Sequence, residues 1–298
     1  MKARRVTRAL RRVVVPRLDD FVVRRYRTLA ARRVRSDALD EATLRAVGRI
    51  AERAVEDARP SPAADEALAK AFRALADADL YRRRPSPAIR RALVEQFHRL
   101  YYHSHRQTWR DTRFLGVEVW KNPLDLWIYQ EMIHELRPDV VIETGTKYGG
   151  SAFYLARLFD LIGHGQVITI DTEPQPDRPE HPRITYLTGS SADPALAESV
   201  DELIDGGKPL ILLDSSHRRN HVLKELRLWS PRVPMGSHIV VEDTHADGHP
   251  VTTRIGRGPW DAVERFLAED DAFVVDESMH KFFLTFNPRG FLKRVRER

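Results

Sequence analysis

From residue 138 onward, short apolar runs alternate with segments of helical pattern. This alternation constrains the fold more than any other feature of the chain. DVVIE at 139–143 is followed by a helical segment at about 150–161, then by QVITID at 166–171 and ITYL at 184–187. A second helical segment at about 193–205 leads to PLILLD at 209–214, a third at about 218–228 to SHIVVED at 237–243. A fourth at about 260–268 precedes two further runs, AFVVD at 272–276 and KFFLTF at 281–286. Near-continuous Val/Ile/Leu runs separated by helices are the pattern of parallel strands buried on both faces. The last two runs have no helix between them, so they are expected to form an antiparallel pair at one edge. The expected fold class is α/β: a doubly wound, mostly parallel seven-stranded sheet with a helical N-terminal extension. Ligands of such sheets bind at the carboxyl ends of the strands.

Before residue 138 the pattern is different. Helices are expected at 37–57, 62–78 and about 87–101, with Ser36 or Asp37 capping the first and the RRRPSP turn at 82–87 preceding the last. The organisation read from these patterns is a basic tail at 1–36, a helical region at 37–110 and the strand–helix domain at 111–298. The net charge of +6 is unevenly distributed: residues 1–36 carry 13 Lys/Arg and 2 Asp/Glu, and the remainder 36 basic and 41 acidic residues. The tail is therefore +11 and the body −5, which argues against a nucleic-acid surface across the body. The tail reads as a peripheral anchor on anionic membrane, with an apolar side from Val13–Val15, Leu18 and Phe21–Val23, as a nucleic-acid arm, or as a basic helix packed on a neighbouring subunit of a homo-oligomer. No uninterrupted apolar stretch is long enough to span a bilayer, and VVVP is too short for a secretory core, so a cytoplasmic protein is expected, with peripheral membrane contact as one reading. The chain has no cysteine, which excludes disulfides, thiolate metal sites and thiol nucleophiles.

The first strand of the sheet ends in Glu143-Thr144-Gly145-Thr146-Lys147-Tyr148-Gly149-Gly150-Ser151. A phosphate-cradling P-loop needs Lys followed by Ser or Thr after its glycines, and a dinucleotide loop needs a second glycine where Lys147 stands. S-adenosylmethionine has no pyrophosphate and tolerates a looser loop. Acids at the ends of the first two strands, Glu143 and Asp171, suit that ligand, with Asp171 placed for the ribose hydroxyls.

Asp214 ends the fourth strand, and Glu242 with Asp243 the fifth. Adjacent strands lie about 4.8 Å apart, so three carboxylates converge at the same sheet end as the glycine loop. Their repulsion is relieved by a divalent cation, and an all-oxygen donor set suits magnesium, manganese or calcium rather than zinc. His245-Ala246-Asp247 matches half of an iron facial triad, but that motif belongs to a β-barrel, which this alternation does not form. His217, three residues past Asp214, is placed to contact substrate.

Taken together, VIETGTKYGGSA, GSSADP, ILLDSSHRRNHVLKEL, the VVEDT run, PWDAVERFL and the closing GFLKRV resemble the cephalosporin hydroxylase family, which includes rhamnosyl O-methyltransferases. The resemblance covers about residues 100–296 with the motifs in order. It implies an S-adenosylmethionine-dependent, magnesium-dependent methyltransferase. Its metal ligands fall on Asp214, Glu242 and Asp243, and its cofactor loop on Glu143, Gly145, Lys147, Tyr148, Gly149 and Ser151. Its ribose acid falls on Asp171, its adenine-side turn on Ser190 and Ser191, and an upstream K-x-P-x-D segment on Lys121, Pro123 and Asp125, with Gln130 and Glu131 following. The expected activity is methyl transfer to a hydroxyl of a sugar, a glycosylated natural product or a glycolipid, with Asp214 or His217 as the base. The alternative expectation is a cofactor-binding partner subunit that catalyses nothing itself.

Overall fold

In a computed structural model, residues 87–251 and 256–297 are described. The basic tail, the helices expected at 37–57 and 62–78 and all but the last residue of the turn at 82–87 lie outside them. From Phe97 onward the described residues belong to one compact unit. Its elements run α1 (Pro87–His103), β1 (Arg113–Phe114), β2 (Val117–Glu118), α2 (Pro123–Leu136), β3 (Val140–Thr144), α3 (Gly150–Ile162), β4 (Gln166–Asp171), β5 (Ile184–Thr188), α4 (Pro194–Ile204), β6 (Pro209–Leu213), α5 (Arg219–Trp229), β7 (His238–Val241), α6 (Pro259–Glu269), β8 (Phe273–Val275) and β9 (Phe291–Arg294). No helix among the described residues is long and apolar enough to cross a membrane.

Seven strands form one sheet in the order β5-β4-β3-β6-β7-β9-β8. The five from β5 to β7 are parallel, and β9 runs antiparallel to both β7 and β8. Successive side chains of a strand point to opposite faces, and both faces are covered here. Val140, Ile142, Ile211, Leu213, Ile239 and Val241 pack with Val222, Leu226, Trp229, Val263 and Phe266 of α5 and α6. Val141, Leu210, Leu212 and Val240 pack on the other side with Ile128, Tyr129, Met132 and Phe159 of α2 and α3. That two-faced burial is why β3 and β6 read as unbroken apolar runs. Each fully buried aliphatic or aromatic side chain contributes about 1.5–3 kcal/mol. Local signals set the helix starts: Asn122 accepts from Leu124 N–H with Pro123 next, and Asp193 accepts from Ala195 N–H with Pro194 next.

The edge pair forms, but one of its strands is displaced. KFFLTF is not a strand; the partner of β8 is Phe291–Arg294. The backbone of the earlier run is claimed by side chains. Phe286 N–H donates to Asp125 Oδ2 at 2.8 Å, Asn287 N–H to Thr285 Oγ1 at 2.9 Å, and Phe283 is left-handed at φ 67°. A ladder strand cannot be built from such groups, so the segment instead fastens α2 to the chain before β9. Gly290 then lets the chain pass the end of β7, because a Cβ there would lie 2.1 Å from the Val241 carbonyl oxygen. The short β1–β2 hairpin, turning through Leu115 and Gly116, has no counterpart in the sequence reading.

The Asp125 fastening has a pH signature. Burial pushes its carboxyl up to about 6, although Thr285, the Phe286 N–H and Asn122 pull it down by hydrogen bonding. In the unfolded chain the group titrates near the ordinary 3.8. The folded state therefore holds the proton more tightly, and the contribution of Asp125 is greatest at low pH and is lost as pH rises through about 6. Asp125→Asn is expected to gain stability relative to the parent by about 1–2 kcal/mol on going from pH 4.5 to pH 7.5. Denaturant titrations of both proteins at both pH values measure this; a difference that is flat, or larger in acid, would contradict it.

Candidate functional site

The carboxyl ends of β3, β4, β6 and β7 converge, and the glycine loop crosses them. Gly145 follows β3 at φ 89° and donates its N–H to the Ile170 carbonyl at 2.8 Å. A Cβ at Gly145 would lie 2.0 Å from the Asp214 carbonyl oxygen, so only glycine lets the loop lie against the end of β6. Gly150 is held as closely: a Cβ there would lie 1.9 Å from the Glu118 carbonyl oxygen. The β1–β2 hairpin thus rests on the start of α3 and carries Val119–Lys121 across the site.

The expected cofactor residues divide into two groups. Asp171 accepts the Lys147 N–H at 2.8 Å and the Glu173 N–H at 3.1 Å, and it faces the loop as expected. The same carboxylate also receives Arg178 Nη2 at 3.2 Å, while Arg178 Nε donates to the Lys147 carbonyl at 2.8 Å. Lys147 and Tyr148 flank a cleft of about 30 Å³ together with Trp120, Gly145 and Asp214. Trp120 packs edge-on to Tyr148 with centroids 5.2 Å apart, and its buried Nε1 has no hydrogen-bond partner. Glu143 and Ser151, by contrast, are committed beneath the loop: the Glu143 carboxylate accepts from Ser151 Oγ and from Thr169 Oγ1. After β5, Ser190 is exposed; Ser191 is buried, with its carbonyl accepting Trp229 Nε1 at 2.8 Å and its hydroxyl 3.3 Å from His221 Nε2.

At the acidic centre the three expected carboxylates do not form a single ligand cluster. Asp214, His217 and Asp243 do: one ligand atom from each lies within 4.8 Å of the others. Glu242 is turned instead to Lys121, whose Nζ donates at 2.7 Å to Glu242 Oε1 and at 2.7 Å to Asp214 Oδ2. The displacement of Glu242 follows from burial, since a carboxylate 6% exposed requires a counter-charge. Burial alone would strip the Lys121 proton, but Asp214 and Glu242 outweigh it and hold the ammonium well above its ordinary range. Burial and the neighbouring Asp214 push the Glu242 carboxyl up.

Asp243 has the opposite bias. Burial opposes its ionisation, but His217 and His245 override this and hold its carboxyl well below the usual range. His217 Nδ1 lies 3.3 Å from Oδ2, and His245 Nε2 lies 3.4 Å from Oδ1. Behind them, His98 Nε2 lies 2.7 Å from His245 Nδ1, in a cluster with Tyr102, Trp109 and Phe286. Burial, then the nearby His245, push His98 down to about 3, so this imidazole is neutral. Asp243 itself is left-handed at φ 55°, held by its N–H to Asn287 Oδ1 at 3.0 Å. No ligand cluster among the described residues joins His245 to Asp247, and the fold contains no barrel.

Sequence reasoning missed Trp120, Arg178 and the His98–His245 pair. It had Lys121 only through a motif, without its partners. Each is brought in from far along the chain, so no local spacing announces it. A lysine just ahead of a Pro-initiated helix, in a chain with three strand-end acids, was the one available signal.

The family model described as Rhamnosyl O-methyltransferase/CmcI matches residues 106–295. A Rhamnosyl O-methyltransferase of Mycobacterium tuberculosis (strain ATCC 25618 / H37Rv) is 39% identical over 209 residues, covering 66% of this chain and 83% of the relative. That of Mycobacterium leprae (strain TN) is 36% identical over 207 residues, covering 66% and 89%. Among solved structures, CmcI with Mg and SAM is 21% identical with a TM-score of 0.49, covering 63% of this chain and 78% of that one.

Lys121 is the neutralising group of the centre, and its removal should show. Lys121→Met is expected to lower stability at neutral pH by about 3–5 kcal/mol, because it leaves buried carboxylates unpaired. Adding Glu242→Gln should recover part of that loss. Urea denaturation of the two variants measures it, and an undiminished Lys121→Met protein would show that the charge is balanced elsewhere.

Proposed function

The chain belongs to the Rhamnosyl O-methyltransferase/CmcI family, and on that premise we propose that it transfers a methyl group from S-adenosylmethionine to a hydroxyl of a sugar acceptor with the help of Mg2+. The observation that carries the reading is the juxtaposition, at one sheet end, of a glycine loop closed against β6 and an acidic centre where Asp214 and Glu242 share one ammonium and Asp214 and Asp243 lie with His217. Both groups fit the residues present. Asp214 and Asp243 offer hard oxygen donors, and the charge left over after Lys121 suits a divalent ion. The cleft beside the loop contains an unpartnered buried donor, Trp120 Nε1, and the Asp171 carboxylate opens onto the same loop.

When bound, the cofactor supplies an activated methyl group and the cation lowers the pKa of a coordinated hydroxyl. The protein's own part is alignment and proton transfer. Asp171, whose carboxylate now receives Arg178, would accept from the ribose hydroxyls. Asp214 and Asp243 would hold the cation, and Glu242, joined to Lys121, would add to the charge of the centre. His217 is the base in this reading. With its Nδ1 proton directed at Asp243 Oδ2, its Nε2 lone pair is left to take the hydroxyl proton. The acceptor is proposed to be a glycolipid or a glycosylated natural product; that the mycobacterial relatives are rhamnosyl O-methyltransferases supports the sugar.

The test combines turnover with two binding measurements. Labelled S-adenosylmethionine, Mg2+ and a rhamnoside are expected to yield a methylated sugar. Asp171→Ala should weaken S-adenosylmethionine at least about tenfold by calorimetry, having lost a charged acceptor worth about 1.5–3 kcal/mol per hydrogen bond. Asp214→Ala should abolish Mg2+-dependent turnover while cofactor affinity stays within about a few-fold, since the cation faces the acceptor. Wild-type cofactor binding by Asp171→Ala, or full Mg2+ dependence in Asp214→Ala, would remove the corresponding assignment.

A further inference from the structure

Two residues beyond Asp214, on the outer side of His217, a second concavity of about 590 Å³ opens; Ser216, Arg218, Arg219, His221, Lys224 and Arg257 line it. Its chemistry is opposite to that of the acidic centre. Four cations, from the start of α5 and from the chain entering α6, share one cleft, and Arg219 N–H donates to the Arg257 carbonyl at 3.1 Å to join the two segments. Among the described residues none of Arg218, Arg219, Lys224 and Arg257 has a carboxylate within 4.0 Å, although ion pairs are frequent elsewhere on this surface. Arg219 Nε is buried and lacks a hydrogen-bond partner. The nearest acid of the same helix, Glu225, is fully buried and committed to Ser215 Oγ at 2.7 Å.

The local balance is unusual for this chain, because residues 37–298 taken together carry more acids than bases. Four like charges in one cleft repel one another unless an anion lies between them. Guanidinium forks match phosphate oxygens in pairs. His221, on one wall, contacts Ser191 on the cofactor side, and His217 precedes Arg218 on the acceptor side. An anion here would therefore sit within one small molecule's reach of the reacting hydroxyl.

We propose that this cleft is an anion subsite that takes the phosphate or pyrophosphate of a phosphorylated sugar acceptor, whose hydroxyl is presented to Asp214 and Asp243. The identity of the occupant as acceptor rests on the methyl-transfer reading; the binding of phosphate does not. The full chain, with EDTA present and no divalent metal, is titrated with inorganic pyrophosphate by calorimetry. Arg219→Gln/Lys224→Gln is expected to weaken binding at least tenfold. Arg137→Gln/Lys208→Gln, which removes the same charge at the opposite end of the sheet, should leave it within twofold. Displacement of pyrophosphate by a nucleoside diphosphate would assign the phosphate to a nucleotide-linked sugar, and displacement by phosphatidylglycerol vesicles to a lipid-linked one. Equal binding by the Arg219/Lys224 variant and the parent, or no binding by either, would overturn the subsite. It would leave the methyltransferase test untouched, because no methyl transfer is read here.

Discussion

One buried ammonium organises the catalytic end of this protein. A parallel sheet brings the ends of its strands to one side, and here those ends carry Asp214, Glu242 and Asp243. Water cannot solvate them all, so a cation must come from within the chain, and Lys121 is that cation. Its position explains much of what precedes the sheet. The β1–β2 hairpin lies against Gly150, Asn122 caps α2 directly after the lysine, and Asp125 one turn later fastens α2 to the Thr285–Phe286 segment. The approach to the sheet is thus fixed at three successive points, each holding the ammonium in place. An isolated lysine at this depth would lose its proton. Between two carboxylates it keeps it.

The strand ladder was legible because burial on both faces leaves a mark that depends on composition alone. Val140–Ile142 and Pro209–Leu213 are apolar throughout and rich in branched residues. KFFLTF has the same mark and is not a strand. What decided its fate was Asp125, some 160 residues earlier, which takes the Phe286 N–H that a ladder would need. The strand that forms, Phe291–Arg294, is short and half polar, so it leaves no such mark. At the site, Gly145 and Asp171 were legible because backbone sterics and strand-end placement are local properties. Glu143 was read as facing ligand, but on a strand buried on both sides its carboxylate has nowhere to go except the layer beneath the loop. Glu242 and Asp243 follow the end of β7, and the left-handed turn at Asp243 sends the two carboxylates to different partners. Only one of them lies with Asp214 and His217.

Three imidazoles line up on Asp243. His217 is partly exposed on one side, His245 is buried on the other, and His98 of α1 stands behind His245 among aromatic rings. Through this series α1 contacts the acidic centre, although its sequence carries no motif. Asp243 is thereby gripped from both oxygens and from its own N–H. That is the order of restraint a left-handed aspartate needs if its carboxylate is to keep one orientation.

The contact between Gly145 and the Asp214 carbonyl joins two parts that are usually described separately. The loop that would cradle one ligand and the strand that would present the other touch backbone to backbone, with no side chain between them to absorb a shift. The spacing of the two sites is therefore a property of the main chain and not of any replaceable residue. Changes in the surrounding loops can alter what the acceptor side admits, whereas the gap between the two ligands is set by the contact of Gly145 with Asp214.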